Sequence, residues 1–416
     1  MKKNIISISL MIFIALGIGA TFVIGNKKTP NTPSDDKISN ASSSTINNEI
    51  EEINEDITAT LAVCGDIMSH MPQTNDAWSI SQNKYDYSTM ISGATEWVSK
   101  ADYAVANLET TFAGGPDYSG YPAFNTPDEL ADALKQAGFD MLLTSNNHSM
   151  DRGYDGLVRT LDVLDERGIA HVGTYRTQEE RDKNSGVFVA DVGGISVAFL
   201  GYTYGTNGIP VADDKMFSIN IFNTDYMTNM SNLDREKLLK DLNYAQSLNT
   251  DLVAIMIHWG TEYQIQQNNY QKEIAQFLFD NGADIILGGH PHVLQPMKLH
   301  IKNEQNGEQT QGFICYSLGN FISSQKDRYT DTTVVLNLQL EKDGETGKAQ
   351  VKSYNYVPML MLNRGSSADV RFELLDVYKT LSQNLDDTQL NNKLNQAITD
   401  CHNILGENED INKIAA

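Results

Sequence analysis

The chain has 416 residues, enough to bury the core of one large domain or two smaller ones. Four of its 31 basic side chains lie in residues 1–28, which contain no acid, so residues 29–416 carry 27 basic and 54 acidic side chains and a net charge of −27. Such an acidic body repels phosphate backbones, which argues against nucleic-acid binding through a basic patch.

A 22-residue stretch without a charged side chain, residues 4–25, follows the first three residues. It matches the roughly 20 residues that span a bilayer and exceeds the roughly 7–15-residue apolar core of a cleaved signal peptide. Lys2 and Lys3 favour a cytoplasmic start. We therefore predict a signal-anchor transmembrane helix over residues 1–25, which crosses the cell membrane once and leaves the main domain extracytoplasmic. The alternative is a cleaved signal peptide, which would also export the main domain.

Residues 26–57 are rich in Ser, Asn, Thr and acidic side chains without apolar periodicity, which predicts a flexible tether. From residue 58 onward, short apolar runs alternate with amphipathic segments of helical period, as in α/β folds with buried sheets. The predicted strand segments lie at 58–66, 103–109, 139–148, 195–205, 251–260 and 283–292. The predicted helices lie at 88–100, 127–138, 152–168, 232–247 and 270–282.

The order of elements changes in the last quarter of the chain. Segments 311–322, 333–341 and 349–359 have the pattern of consecutive, largely antiparallel strands, which indicates a second sheet packed on the first. We therefore predict an α/β fold of two sheets flanked by helices, with one domain over 58–365. A polar helical C-terminal tail is expected over 366–416, with Cys401 as a surface thiol.

Polar clusters follow five of the predicted strands, at the point where each strand ends. They lie at residues 64–70, 107–110, 145–148, 258–263 and 288–292. In open α/β sheets the carboxyl ends of the strands line one crevice, where ligands bind. Five of the eight histidines fall in these clusters, namely His70, His148, His258, His290 and His292. This concentration predicts a single site at one edge of the sheets.

The residue types in these clusters indicate a metal site. Asp66 and Glu109 offer carboxylates, Asn147 offers an amide carbonyl, the histidines offer imidazoles, and no thiolate is among the candidate ligands. This mixture suits Mn, Fe or Zn rather than a structural cysteine–zinc site, and a bridging carboxylate would let it hold two divalent ions. Because His290 and His292 stand two residues apart, both would point to the same side of an extended chain.

Each candidate also has an ordinary structural explanation when it is taken alone. Asp66 after a glycine is compatible with a turn cap, Glu109 with a solvated loop acid, and His258 with a half-buried core histidine. Residues 145–148 are compatible with an Asx-turn that opens the following helix. Five such clusters at strand ends together favour a metal site, and a two-carboxylate glycosidase would leave the histidines unexplained.

Six motifs occur in a fixed order between about residues 60 and 325. They are CGDIMSH, NLETTFAG, SNNHSMDRGYDGL, HWGTEY, GGHPHVLQP and YSLGNFI. These motifs resemble the CapA family, a branch of the calcineurin-like metallophosphoesterase superfamily that is named for poly-γ-glutamate capsule biosynthesis. The resemblance implies a two-sheet αββα sandwich and a site for two divalent metal ions.

The resemblance also assigns roles to the candidate residues. The first ion would be bound by Asp66 and His292, and the second by Asn147, His258 and His290. Glu109 stands where the superfamily usually has a bridging Asp, and His148 would be the general acid that protonates the leaving oxygen. Two departures follow: the longer Glu109 side chain can change the metal spacing, and His70 lies four residues after Asp66 instead of two. His70 is kept as a candidate metal ligand.

Two functions are compatible with these predictions. The first is a membrane-anchored protein of poly-γ-glutamate capsule synthesis or export, with a di-metal phosphoesterase-type site, that binds an anionic polymer beside other capsule-synthesis membrane proteins. The second is a stand-alone metal-dependent phosphoesterase, a hydrolase acting on a cell-envelope substrate. In both, the insert at 202–223 lies between two site strands and is expected to contact the substrate.

Overall fold

The computed structural model describes residues 55–303, 309–365, 368 and 370–406. In these residues the strands are β1 Ile57–Ile67, β2 Trp78–Ser79, β3 Lys84–Tyr85, β4 Tyr103–Leu108, β5 Met141–Leu143, β6 Ala170–Val172, β7 Phe188–Val192, β8 Ile195–Thr203, β9 Leu252–His258, β10 Ile285–Gly289, β11 Leu294–Asn303, β12 Gln309–Leu318, β13 Asn320–Ile322, β14 Thr332–Lys342, β15 Ala349–Asn363 and β16 Phe372–Asp376. The α-helices are α1 Met71–Asp76, α2 Ser88–Lys100, α3 Glu129–Ala137, α4 Gly153–Glu166, α5 Gln178–Lys183, α6 Arg235–Ser247, α7 Asn269–Asp280, α8 Val377–Ser382 and α9 Thr388–Leu405, and a 3₁₀ helix spans Asp213–Ser218.

All of these strands except the hairpin of β2 and β3 belong to two larger sheets. The first sheet has the order β16-β15-β14-β1-β4-β5-β6, with β13 also paired to β1. Within it β1, β4, β5 and β6 run parallel, whereas β14, β15 and β16 pair antiparallel. The second sheet has the order β11-β12-β10-β9-β8-β7, with antiparallel pairing only for its two edge strands.

The inner faces of the two sheets pack on each other. Apolar side chains from both sheets fill the space, among them Leu61 and Val105 of the first sheet and Phe199 and Met256 of the second. Helices α2, α3 and α4 cover the outer face of the first sheet, and α6 and α7 cover that of the second. The layers therefore follow the order α-β-β-α, in a mixed α/β fold as predicted. All residues of β9 are buried, because a sheet covers one of its faces and helices the other.

The segment 311–322, predicted as one strand, is divided at Gly319. This glycine has a φ of 67°, a left-handed conformation that residues with a Cβ rarely adopt. The chain changes sheets there, so that β12 lies in the second sheet beside β10, whereas β13 pairs with β1 of the first. The expectation of consecutive antiparallel strands is correct for β14 and β15, whereas β12 pairs antiparallel with β11 and parallel with β10. The expectation that these late segments form the second sheet is wrong for β14 and β15, which extend the first sheet.

The C-terminal segment differs from the polar helical tail that was expected. Residues Phe372–Asp376 form β16, which extends the first sheet, and α9 packs one side against the two sheets. Leu394 and Cys401 on that side are inaccessible to solvent. The prediction that Cys401 is a surface thiol is wrong, because apolar residues recur at helical spacing along α9 and bury it.

The predicted transmembrane segment, residues 1–25, and the tether as far as residue 54 lie outside the described residues. Among the helices that the structure describes, none is both long enough and apolar enough to cross a membrane.

One edge of the molecule collects the carboxyl ends of the parallel strands. There, hydrogen bonds join residues of the two sheets: the backbone N–H of His290 donates to Asp66, and the amide of Asn107 contacts the ring of His258. The strands β1, β4, β9 and β10 thus bring their ends together, as the strand-end clusters predict.

Candidate metal centre

Asp66 is the penultimate residue of β1 and is fully buried. Its Oδ1 accepts a hydrogen bond of 2.8 Å from Nδ2 of Asn107, and its Oδ2 accepts one of 3.0 Å from the backbone N–H of His290. A side chain at the preceding residue is not tolerated, because a Cβ on Gly65 would lie 1.9 Å from the carbonyl oxygen of Gly319. The glycine therefore lets β1 bring Asp66 to the crevice.

Glu109 directly follows β4 and is also fully buried. Its Oε1 lies 3.4 Å from Nε2 of His258, its Oε2 lies 4.0 Å from Nδ1 of His292, and neither oxygen has a hydrogen-bond partner. Burial acts to raise the pKa of Glu109, but the two imidazoles outweigh it and hold that pKa below its usual range. A buried carboxylate without hydrogen bonds is costly, and a bound cation is the partner that fits it.

Three groups of potential ligands have donor atoms within 4.8 Å of one another in the described residues. They are Glu109, His258 and His290; Asp66, Glu109 and His292; and Glu262, His290 and His292. Glu109 belongs to the first two groups and lies between them. Asn147 joins the first group, since its Oδ1 is 2.9 Å from Nε2 of His258. These donors are carboxylate, amide and imidazole, and they suit divalent transition ions.

The two histidines after β10 reach the site by an unusual backbone. His290 and His292 have φ values of 97° and 61°, which are uncommon for residues with a side chain and cluster at functional sites. The expectation that an extended chain points both rings to the same side is therefore wrong, although both histidines belong to the metal-ligand groups. The preceding Gly289 is required, because a Cβ there would lie 2.5 Å from Oδ1 of Asp66.

The imidazole rings of His290 and His292 have opposite electrostatic environments. Burial lowers the pKa of His290 well below its ordinary value, and its Nδ1 is buried without a hydrogen-bond partner. Burial also acts to lower the pKa of His292, but the carboxylates of Glu109 and Asp66 raise it to about 9. His292 Nδ1 lies 3.0 Å from Oδ1 of Asn320, which orients the ring. The unpartnered nitrogen of His290 is a second atom that a cation would satisfy.

His148 lies beside the metal-ligand groups and has its own acidic partner. Its Nδ1 donates to Oδ2 of Asp151 at 2.7 Å, and that oxygen also accepts the backbone N–H of Phe124 at 2.6 Å. The ring of Phe124 packs edge-on against His148, with centroids 4.7 Å apart. Because Nδ1 is held by the carboxylate, Nε2 is the atom left to exchange a proton with a bound substrate.

His70 is not part of any of the three ligand groups found in the described residues. It precedes α1, where its Nδ1 accepts the backbone N–H of Ser324 at 3.4 Å and its ring packs edge-on against Phe124. Burial lowers the pKa of His70 to about 4, so the ring is neutral near neutral pH. His70 and His148 thus both pack edge-on against Phe124, and the role of His70 as a metal ligand stays a prediction.

Three further residues of the site were not singled out from the sequence. Asn107 contacts Asp66 and His258, Asn320 orients His292, and the half-exposed carboxylate of Glu262 lies 3.9 Å from Nε2 of His292. The two asparagines stand in otherwise apolar strand-like runs, and that pattern could have identified them as buried polar residues with a specific partner.

The insert between β8 and β9 reaches the site as expected. The ring centroid of Tyr204 is 4.6 Å from that of His290, and the amide of Asn207 contacts both Asn147 and His148. The insert therefore forms one wall of the crevice.

Comparison with known proteins identifies the family. The sequence model of the family described as "Bacterial capsule synthesis protein PGA_cap" matches residues 60–325. The chain belongs to the PGA_cap family. The assignment confirms the resemblance to CapA that the six motifs indicate.

Two curated proteins related to this PGA_cap chain carry the CapA name. "Capsule biosynthesis protein CapA" of Bacillus anthracis is 28% identical over 302 residues, which cover 70% of this chain and 66% of that protein. "PGA biosynthesis protein CapA" of Bacillus subtilis (strain 168) is 31% identical over 255 residues, 60% of each chain. The chain thus spans between 60% and 66% of the length of these relatives.

Two solved structures are similar to this chain. A putative 5'-nucleotidase from Staphylococcus aureus, in complex with alpha-ketoglutarate, has a TM-score of 0.46 and 16% identity, over 82% of this chain and 58% of that one. The calcineurin-like phosphoesterase YfkN from Bacillus subtilis has a TM-score of 0.38 and 13% identity, over 83% of this chain and 98% of that one.

Proposed function

We propose that the chain is a capsule-synthesis protein with a binuclear divalent-metal centre of the calcineurin-like phosphoesterase type. We further propose that residues 1–25 anchor it in the cell membrane, with the metal centre on the extracytoplasmic side. Its substrate would be an anionic compound of the cell envelope, either a phosphoester or poly-γ-glutamate, and other membrane proteins of capsule synthesis would be its partners. The family assignment and the CapA relatives support the role in capsule synthesis.

The environment of Glu109 carries the proposal of a binuclear centre. Its two oxygens are buried without hydrogen bonds, and they face different ligand groups. A carboxylate in this position would bridge two ions. Asp66 and His292 would complete one ion's ligand set, and Asn147, His258 and His290 the other's.

The charge of the site supports an anionic substrate. Two dications opposed by the carboxylates of Asp66, Glu109 and Glu262 would leave one net positive charge at the bottom of the crevice. This charge would offset the repulsion between an anion and a body that carries 27 basic and 54 acidic side chains. The metal centre would then be the place where this acidic protein holds an anion.

The arrangement around His148 favours hydrolysis over binding alone. When bound, two divalent ions would orient a phosphoryl group and activate water near neutral pH. His148 would give the proton on its Nε2 to the leaving oxygen, while Asp151 holds Nδ1 and stabilises the charged imidazole. Phe124 packs edge-on against His148, which is buried, and limits the access of bulk water to it, and His70 packs on the same phenylalanine.

A hydrolysis assay of the full-length protein in detergent tests this function. The protein is stripped with a chelator, reloaded with Mn²⁺, Zn²⁺ or Fe²⁺, and offered an aryl phosphomonoester, an aryl phosphodiester and poly-γ-glutamate. We expect metal-dependent turnover of at least one of them, and none by Glu109→Gln. A metal-loaded protein that turns over none of these compounds would contradict a hydrolase.

The strongly acidic body also supports a second candidate function, in which the ions hold the carboxylates of an anionic polymer without cleaving it. Binding of poly-γ-glutamate that a chelator abolishes, with no shortening of the polymer, would identify this function. Shortening of the polymer, or turnover of a phosphoester, would exclude it.

A further inference from the structure

We propose that Asn207, in the insert between β8 and β9, is a positioning residue that fixes the amide of Asn147 and the imidazole of His148 in one geometry. The inference rests on the proposed function, because both of its targets belong to the same metal centre. Asn207 lies outside all six sequence motifs, so only its position in the fold connects it with the site.

The amide of Asn207 contacts two adjacent residues of the loop after β5. Its Oδ1 accepts a hydrogen bond of 3.1 Å from Nδ2 of Asn147 and a longer one of 3.4 Å from the hydroxyl of Tyr204. Its Nδ2 lies 3.4 Å from Nε2 of His148. Two donors on Oδ1 fix the orientation of the amide, so its N–H group faces Nε2 of His148. This contact positions the imidazole while Nε2 is unprotonated, and it is released when Nε2 takes up the proton for the leaving oxygen.

The contact with Asn147 decides which end of that side chain faces the metal-ligand groups. Asn147 points its Oδ1 toward His258 at 2.9 Å and donates from Nδ2 to Asn207. If the amide were rotated by half a turn, its NH₂ group would face the cation, which it cannot bind. Partners that hold a metal ligand in its correct orientation typically contribute 10–100-fold to metal affinity. We therefore assign this orienting role to Asn207.

The backbone of the insert is suited to present Asn207. Ile209 donates its N–H to the carbonyl of Thr206 at 2.9 Å, and the two central residues, Asn207 and Gly208, have φ values of 51° and 74°. Left-handed backbone at both central positions is the type I′ turn, for which Asn-Gly is the preferred pair. Asn207 is exposed, so an entering substrate would also contact its side chain.

Two substitutions separate the parts of this role. Asn207→Gly keeps the left-handed backbone and removes the amide, and Mn²⁺ titration of the metal-free full-length protein should show one of two sites weakened by about 10–100-fold. Asn207→Asp keeps an oxygen for Asn147, so both affinities should stay close to wild type. Its kcat should nevertheless fall with little change in KM, because an oxygen replaces the N–H group that contacts Nε2 of His148.

Asn384→Gly is the matched control. Asn384 is also exposed with a φ of 51°, and its side chain donates to the carbonyl of Ser382, away from every residue of the site. Asn384→Gly should bind Mn²⁺ like wild type. Without metal, Asn207→Gly and Asn384→Gly should have the same Tm, because Asn207→Gly is expected to weaken one metal site and not the fold.

Three results would overturn the inference. Unchanged Mn²⁺ affinities in Asn207→Gly, beside a wild type that binds two ions, would remove it and leave the proposed function intact. Equal weakening of both sites together with a lowered Tm would show a general loosening of the fold instead of a positioning role. Failure of the wild type to bind any of Mn²⁺, Zn²⁺ and Fe²⁺ would remove the proposed function and this inference together.

Discussion

The carboxylate of Glu109 lies 3.4 Å from Nε2 of His258, and neither of its oxygens accepts a hydrogen bond. Both residues are completely buried. Among the described residues, neighbouring imidazoles stabilise the carboxylate, and a bound cation would satisfy its oxygens directly. Metal binding and folding stability should therefore be coupled in this protein.

The first prediction concerns Glu109→Gln. Divalent metal should raise the Tm of the wild type, because each occupied site stabilises the folded state by about 2.7 kcal/mol when free metal is 100-fold above the Kd of that site. The variant lacks the carboxylate that would bridge the ions, so most of this gain should be lost. Calorimetry of both proteins with and without Mn²⁺ measures the difference, and an equal metal-induced shift in the variant would contradict the bridging role.

The second prediction concerns proton transfer. His148→Ala and Asp151→Asn should lower kcat, by about 10²–10⁴-fold for His148→Ala, because a positioned general acid contributes a factor of that size. Metal content should be unchanged in both variants. The kcat of each variant should fall more for an ester with a poor leaving group than for a nitrophenyl ester, whose leaving oxygen needs no proton. Equal losses for the two esters would contradict the role of general acid.

The third prediction concerns pH. In the metal-free protein, burial opposes the charge on His292, but Glu109 and Asp66 raise its pKa to about 9, above the ordinary 6.5. A raised pKa in the folded state stabilises the protein fully below pH 6.5, and this contribution is lost as the pH rises through 9. The Tm measured in chelator should therefore fall over that interval, and His292→Gln should flatten the fall. A wild-type Tm that rises over the interval would contradict this assignment.

Deprotonation of His292 should lower the stability of the protein without metal but raise its affinity for metal. A bound ion needs the neutral imidazole of His292, so protons and metal compete for it. The affinity for Mn²⁺ should rise as the pH approaches 9, which isothermal titration at three pH values would measure. An affinity that is independent of pH would show that His292 is not a ligand.

The fourth prediction concerns the glycine beneath the site. In Gly289→Ala the new Cβ would lie 2.5 Å from Oδ1 of Asp66, and the shift that relieves this overlap should cost about 1–3 kcal/mol and weaken one metal site. Gly205→Ala is the control, because a Cβ there meets nothing closer than 3.5 Å. Chemical denaturation should give a lower free energy of unfolding for Gly289→Ala than for Gly205→Ala. Equal stability would contradict the proposed steric requirement.

The positions where strands end could be predicted, because a buried parallel strand is an apolar run in the sequence. An apolar run such as that of β9 ends abruptly at His258, and the topology of parallel sheets then brings such ends to one edge. The metal-ligand groups contain four of the predicted ligands beside Glu109, and Asn147 lies against one of those groups. The alternation of helices and strands likewise anticipated a mixed α/β fold, whereas the second sheet was expected from late segments of which β14 and β15 extend the first sheet.

Other features depend on distances that a sequence pattern does not encode. His70 belongs to the same strand-end cluster as Asp66, but α1 starts directly after it, and its ring packs against Phe124 outside the ligand groups. Glu262 approaches His292 only because the chain between β9 and α7 folds back over the site, where Tyr263 bonds to the backbone of Pro291. Neither arrangement follows from residue type or spacing.

The most direct test is an anomalous X-ray difference map from crystals of the protein loaded with Mn²⁺. The account predicts two peaks that share Glu109, one in contact with Asp66 and His292 and the other with His258 and His290. A map without peaks at this edge of the sheets, or with a single peak that does not contact Glu109, would contradict the binuclear centre.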